Sequence, residues 1–135
     1  MTRIVLCATS LALGACDGHE APEDVADRFA EAYFVTASQD EALKWATGRA
    51  RRVLEHELDL VREVRSGDYG AEEAHPPTYV TRGTPRRESG SRVVVPYEVD
   101  IATGDPGIQK SVELHLEKTR EGWKVASFRI REARP

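Results

Sequence analysis

The chain has 135 residues, with 19 Lys and Arg against 23 Asp and Glu, for a formal net charge of -4. That length suits a single domain, and the acidic balance argues against general nucleic-acid binding, which needs a basic footprint. No apolar run approaches the roughly 20 residues that a membrane-spanning helix requires.

In chain order, the first element is a leader. Arg3 supplies one positive charge, residues 4–13 are mostly apolar, and Gly14 and Ala15 are small, which is the layout of a secretory signal with its small-residue cleavage site. Leu13-Gly14-Ala15-Cys16 resembles the lipobox of bacterial lipoproteins, in which an aliphatic and two small residues precede an obligatory Cys. The resemblance implies cleavage before Cys16 and acylation of that residue. Cys7 would then leave with residues 1–15, and the mature chain would hold neither a free thiol nor a disulfide, so its stability must come from a packed core. Residues 16–21 are read as a lipid-anchored tether. Its short reach would keep the domain beside the bilayer of the cell envelope, on the periplasmic side, with inner and outer membrane left open.

The domain itself is expected over residues 22–135. Pro22, Glu23 and Asp24 suit the first turn of a helix, and Val25, Phe29 and Tyr33 recur every four residues. This gives one apolar stripe ending near Thr36. Ser38-Gln39-Asp40-Glu41 is a capping-box pattern that opens a short second helix with Ala42, Leu43 and Ala46. A longer helix follows Gly48, with Val53, Leu54, Leu58, Val61 and Val64 on one side and Gly67 as its stop.

From Thr78 the period falls to two. Val93, Val95, Tyr97, Val99 and Ile101 alternate with Val94, Pro96, Glu98 and Asp100, and after a Gly-Pro-rich turn Ile108, Val112, Leu114 and Leu116 alternate with Glu113, His115 and Glu117. These are half-buried antiparallel strands. Trp123 and Val125 break parity with Phe128 and Ile130 in the last strand, which predicts a bulge near Ala126-Ser127 that restores one face and bends the sheet. The strand at residues 78–82, ended by Gly83-Thr84-Pro85, is the weakest of the set. The fold class is therefore α+β, N-terminal helices packed on a curved antiparallel sheet.

Helices followed by a meander that closes on Gly-Trp-Lys-Val, together with the run Val25-Ala26-Asp27-Arg28-Phe29-Ala30, resemble the nuclear transport factor 2-like (cystatin-like) superfamily over residues 22–131. The resemblance implies a cone between helices and sheet. That superfamily hosts enzymes, ligand carriers and interaction modules alike, so it leaves function open.

Chemistry is thinly represented. Glu55-His56-Glu57 lacks the second His of a zinc-protease helix, since the residue four after His56 is Leu60, and residues 100–105 lack the carboxylate spacing of a calcium loop. No metal or cofactor is expected. Inward strand positions are almost wholly apolar, without paired polar groups, and Asp100 and His115 fall on the opposite face. Tyr33, Trp45, Tyr97 and Trp123 are the candidate pocket residues, because each joins an apolar body to a polar tip. Arg49, Arg51, Arg52, Arg86 and Arg87 form two basic clusters that either meet anionic headgroups or pair with neighbours such as Glu55 and Glu88. The expected function is a non-enzymatic, membrane-anchored module that binds an envelope protein or a small apolar ligand. The alternative is a small isomerase or lyase using Tyr33, Tyr97 or an inward acid.

Overall fold

The structure, a computed structural model, describes residues 20–66 and 76–133. The leader, Cys16 and Gly67 lie outside them.

Helix α1 (Pro22–Ala30) starts as its sequence dictates: Pro at the first position needs no N–H partner, and Glu23 and Asp24 sit at the positive end of the helix dipole. It buries Val25, Ala26, Phe29 and Ala30. The helix runs on through a π-helical turn (Glu31–Val35) and ends at the expected Thr36, whose N–H donates to the Glu31 carbonyl at 3.0 Å. The chain then reverses through Ala37 at φ +50°, and the Ser38 N–H closes back on the Ala32 carbonyl at 2.8 Å. A left-handed conformation disfavours any residue with a Cβ, and glycine is the usual occupant of this position after a helix. Ala37→Gly is therefore expected to be neutral or stabilising, by up to about 1 kcal/mol after the added freedom of the unfolded chain is set against it. A denaturant titration would register this as an unchanged or higher midpoint, whereas Gly for Ala inside α1 should lower it.

Ser38 caps helix α2 (Gln39–Leu43), its Oγ accepting from the Glu41 N–H at 3.3 Å. Only half of the capping box forms, because the Glu41 carboxylate turns to Lys44 at 2.9 Å and the Ser38 N–H is already taken by Ala32. Helix α3 (Gly48–Ser66) seats Ala50 and Leu54 in the core. Further along, the expected stripe fades: Leu58 and Val61 are half-buried and Val64 is 62% exposed. The helix thus buries its first turns and carries its apolar spacing out into solvent.

Five strands follow: β1 (Thr78–Arg82), β2 (Arg86–Ser89), β3 (Arg92–Ile101), β4 (Ile108–Thr119) and β5 (Gly122–Glu132). All pairs are antiparallel, in the order β1-β3-β4-β5, with β2 also on β3. β1 pairs with residues 97–101 and β2 with residues 92–94 of the same edge, so the two behave as one edge strand broken at Gly83. There the Gly83 N–H donates to the Pro96 carbonyl at 2.8 Å, and a Cβ on Gly83 would stand 3.0 Å from the Pro96 ring. Strand β2 is a difference from the sequence reading. All four of its residues are exposed, so no apolar alternation marks it.

The expected bulge is present. Leu116 pairs with Val125 while His115 pairs with Ser127, leaving Ala126 as the extra residue and placing Trp123, Val125, Phe128 and Ile130 on the face of Leu116, Leu114 and Val112. That face and the helices enclose one core, in which Phe29, Leu54, Val93, Val95, Leu114 and Val125 are fully buried. On the other face Val94 is buried as well, at 2%, flanked in register by Arg86 on β2 and His115 on β4. Helices packed on one face of an antiparallel sheet make the fold α+β.

Candidate functional site

The polar chemistry lies where helix α1 meets the β1 edge. Glu23, Asp27 and Glu31 recur every four residues along one side of the helix and its continuation. The Tyr97 hydroxyl donates to Asp27 Oδ1 at 2.6 Å and Arg82 Nη1 donates to Asp27 Oδ2 at 2.8 Å. With Glu31 and Val80 these residues line an open cleft of about 410 Å³. Burial first, then the hydrogen bond to Asp27 and its negative charge, hold the Tyr97 proton well above the ordinary tyrosine value of 10, against a smaller opposing pull from Arg82.

A second tyrosine–carboxylate pair joins α3 to the end of the first helix. The Tyr33 hydroxyl donates to Glu57 Oε1 at 2.8 Å, and burial followed by the Glu57 contact raises its pKa likewise. The Tyr33 ring stacks on Phe29 at 5.7 Å and meets Phe34 edge-on at 4.9 Å. Phe128 completes the cluster, at 5.6 Å from Phe29 and 5.2 Å from Tyr33. Both pairs are only part-buried, at the margin of the core, and among the described residues no polar or charged side chain is fully buried. The strands point apolar side chains inward, and the carboxylates arrive from the helices.

Of the four candidate pocket residues, Tyr97 lines the cleft just described and Tyr33 stands in the aromatic cluster. Trp123 is core, 8% exposed. Trp45 is half-buried and does not line that cleft, with the Arg28 guanidinium 5.3 Å and the Lys124 ammonium 5.7 Å from its ring centre. The structure does not bring the four together around one cleft. Two further openings are rim features. One of about 580 Å³ at the β3–β4 turn is lined by Tyr79, Ile101, Pro106 and Ile108 among others, and one of about 610 Å³ by Arg49, Arg52, Val53, His56 and Glu57. In the basic clusters, Arg51 pairs with Glu55 at 2.9 Å and Arg86 approaches Glu88 at 3.7 Å.

Asp27, Glu57 and Arg82 were not legible as site residues. Their partners lie 70, 24 and 55 positions away, and the only local signal was the four-residue spacing of acids on α1. Among the described residues no three His, Cys, Asp or Glu converge as a metal site, and no helix is long and apolar enough to cross a membrane.

The two tyrosines fix a pH dependence. Their folded pKa values lie above the unfolded value near 10, so above pH 10 the folded chain retains protons that the unfolded chain has shed. Stability is then fully present below pH 10 and falls as pH rises toward the folded values, by up to about 1.4 kcal/mol per pH unit for each tyrosine. Tyr97→Phe should remove its share of that slope. At neutral pH it should cost roughly 1.5–3 kcal/mol, the worth of a hydrogen bond to a charged group. Denaturant midpoints of both proteins between pH 7 and 11 check both statements.

No protein-family model matches the chain, and no curated protein matches it either. The class that the fold defines is therefore the general one: an α+β domain with N-terminal helices on an antiparallel sheet.

Proposed function

We propose that this chain is a lipid-anchored protein of the bacterial cell envelope, and that its domain is a non-catalytic interaction module for a protein partner at the membrane surface. Leu13 to Cys16 supply the anchor in this reading, and the helices-then-meander order fits a nuclear transport factor 2-like cone. The observation that carries the module reading is the filling of the interior: Phe29, Leu54, Leu114 and Val125 are fully buried against one another's elements. Three openings among the described residues lie at the rim. Apolar surface is available outside instead, at Tyr79 and Ile108, 64% and 45% exposed beside the β3–β4 groove.

A second reading, a small isomerase or lyase acting on an apolar substrate, has one observation in its favour, the Tyr97–Asp27 pair beside an open cleft. Asp27 already accepts from Tyr97 and Arg82, which suits a clamp between helix and sheet better than a base awaiting substrate. Native mass spectrometry of the mature chain, released from detergent, separates the readings. The module reading expects the acylated chain alone or with a protein partner. A stoichiometric small molecule lost on Tyr97→Phe would overturn it in favour of the second reading.

A further inference from the structure

The described chain begins at Glu20, just ahead of helix α1. The Glu20 carboxylate pairs with Arg28 Nε at 2.7 Å, and the same guanidinium lies over Trp45. Lys124 approaches the Trp45 ring too, while its ammonium donates to the Lys44 carbonyl at 2.6 Å. Among the described residues Lys124 has no carboxylate within ion-pair distance, whereas Arg28 and Lys44 pair with Glu20 and Glu41. The chain therefore enters the domain at a patch of one tryptophan and three cations, two of them paired with the carboxylates Glu20 and Glu41. Three residues separate Cys16 from Glu20, four chain steps with a reach of less than about 15 Å even when fully extended.

We propose that this patch, Arg28, Lys44, Trp45 and Lys124, is the face that rests on the membrane, with the Trp45 indole at the headgroup layer and Lys124, the cation without a carboxylate partner, beside the phospholipid phosphates. The proposal rests on acylation of Cys16. A lipid within about 15 Å of Glu20 leaves the domain little choice of which surface meets the headgroups. The chemistry present is what that layer accepts: an amphipathic indole suits the interface between apolar and wet regions, and Lys or Arg near an anionic surface is attracted to it. Trp45 is tied to the sheet beside Val125, where the Val125 N–H donates to the Trp45 carbonyl at 2.7 Å. Val125 pairs with Leu116, so the β3–β4 turn, eight strand residues further along β4, lies roughly 25 Å away. The Tyr79–Ile108 groove at that turn is then held clear of the bilayer, open to a partner.

The mature chain has no thiol but the acylated Cys16, so single cysteines can be labelled selectively. Lys44→Cys in the patch and Thr103→Cys in the β3–β4 turn would each carry a short-range fluorophore. The lipidated proteins would be placed in phosphatidylethanolamine–phosphatidylglycerol vesicles containing headgroup-spin-labelled lipid. Quenching several-fold stronger at position 44 than at 103 is expected, and Arg28→Gln with Lys124→Gln should weaken it at 44 while flotation with the vesicles stays complete. Equal quenching at the two positions, or stronger quenching at 103, overturns the orientation while leaving the anchor intact. Failure to float overturns the anchor and the orientation together.

Discussion

Phe29→Ala is expected to remove about 3–5 kcal/mol of stability, the usual cost of truncating a fully buried aromatic. Phe29 is 0% exposed and touches two rings, stacked on Tyr33 and tilted against Phe128. Its loss withdraws apolar area and leaves a void that neither neighbour closes easily. Tyr33 is held by its hydrogen bond to Glu57, and Phe128 by its place opposite Leu114 just past the bulge. Domains of this size hold only about 5–15 kcal/mol in all, so the variant should melt well below the parent and populate unfolded chain at ordinary temperatures. Tyr79→Ala, at a 64% exposed position, should stay within about 0.5 kcal/mol. Thermal unfolding of the three proteins by circular dichroism checks the contrast. A double-mutant cycle of Phe29→Ala with Phe128→Ala should return a coupling of about 0.5–1.5 kcal/mol, the excess worth of an aromatic pair over its buried area.

The elements that could be read in advance are those whose side chains report burial locally. Strand β3 alternates from Val93 to Ile101, and the parity break between Val125 and Phe128 placed the bulge because a one-residue slip would otherwise turn half the strand outward. β2 was illegible for the opposite reason: Arg86, Arg87, Glu88 and Ser89 form a strand held by backbone pairing to β3, with every side chain in water. Val94 looked like a solvent position by parity, yet β2 and His115 flank it. Val64 looked like core by helical spacing, yet it lies beyond the turns of α3 that are buried. Site residues fared worst. Tyr97 could be named from its own pattern, but the carboxylate that receives its hydroxyl comes from another element 70 residues away, and nothing local to Asp27 announces that contact.

On the proposal that Cys16 is acylated, Cys16→Ser is expected to release the protein from the membrane. The clean comparison exports residues 16–135 behind an ordinary secretory leader with Cys16→Ser, since leaving the original leader uncleaved would retain its apolar segment. One acyl chain of myristoyl length gives an association constant of about 10⁴ M⁻¹, and each further buried methylene adds about 0.8 kcal/mol, close to fourfold. At about millimolar lipid one such chain alone holds about ten proteins bound for each one free, and longer or additional chains hold more, so the loss should take the protein from almost wholly bound to mostly free. The remaining attraction is weak: Arg28 and Lys44 are already paired with carboxylates, and the chain carries a net charge of -4, which an anionic surface repels. Parent protein should float with membranes and carry added acyl mass on the peptide that begins at Cys16. The variant should fractionate as a soluble protein with the circular dichroism spectrum of the parent domain. A variant that still floats would mean that the domain binds the membrane or a membrane protein by itself, and the search for the anchor would move from Cys16 to the Trp45 patch.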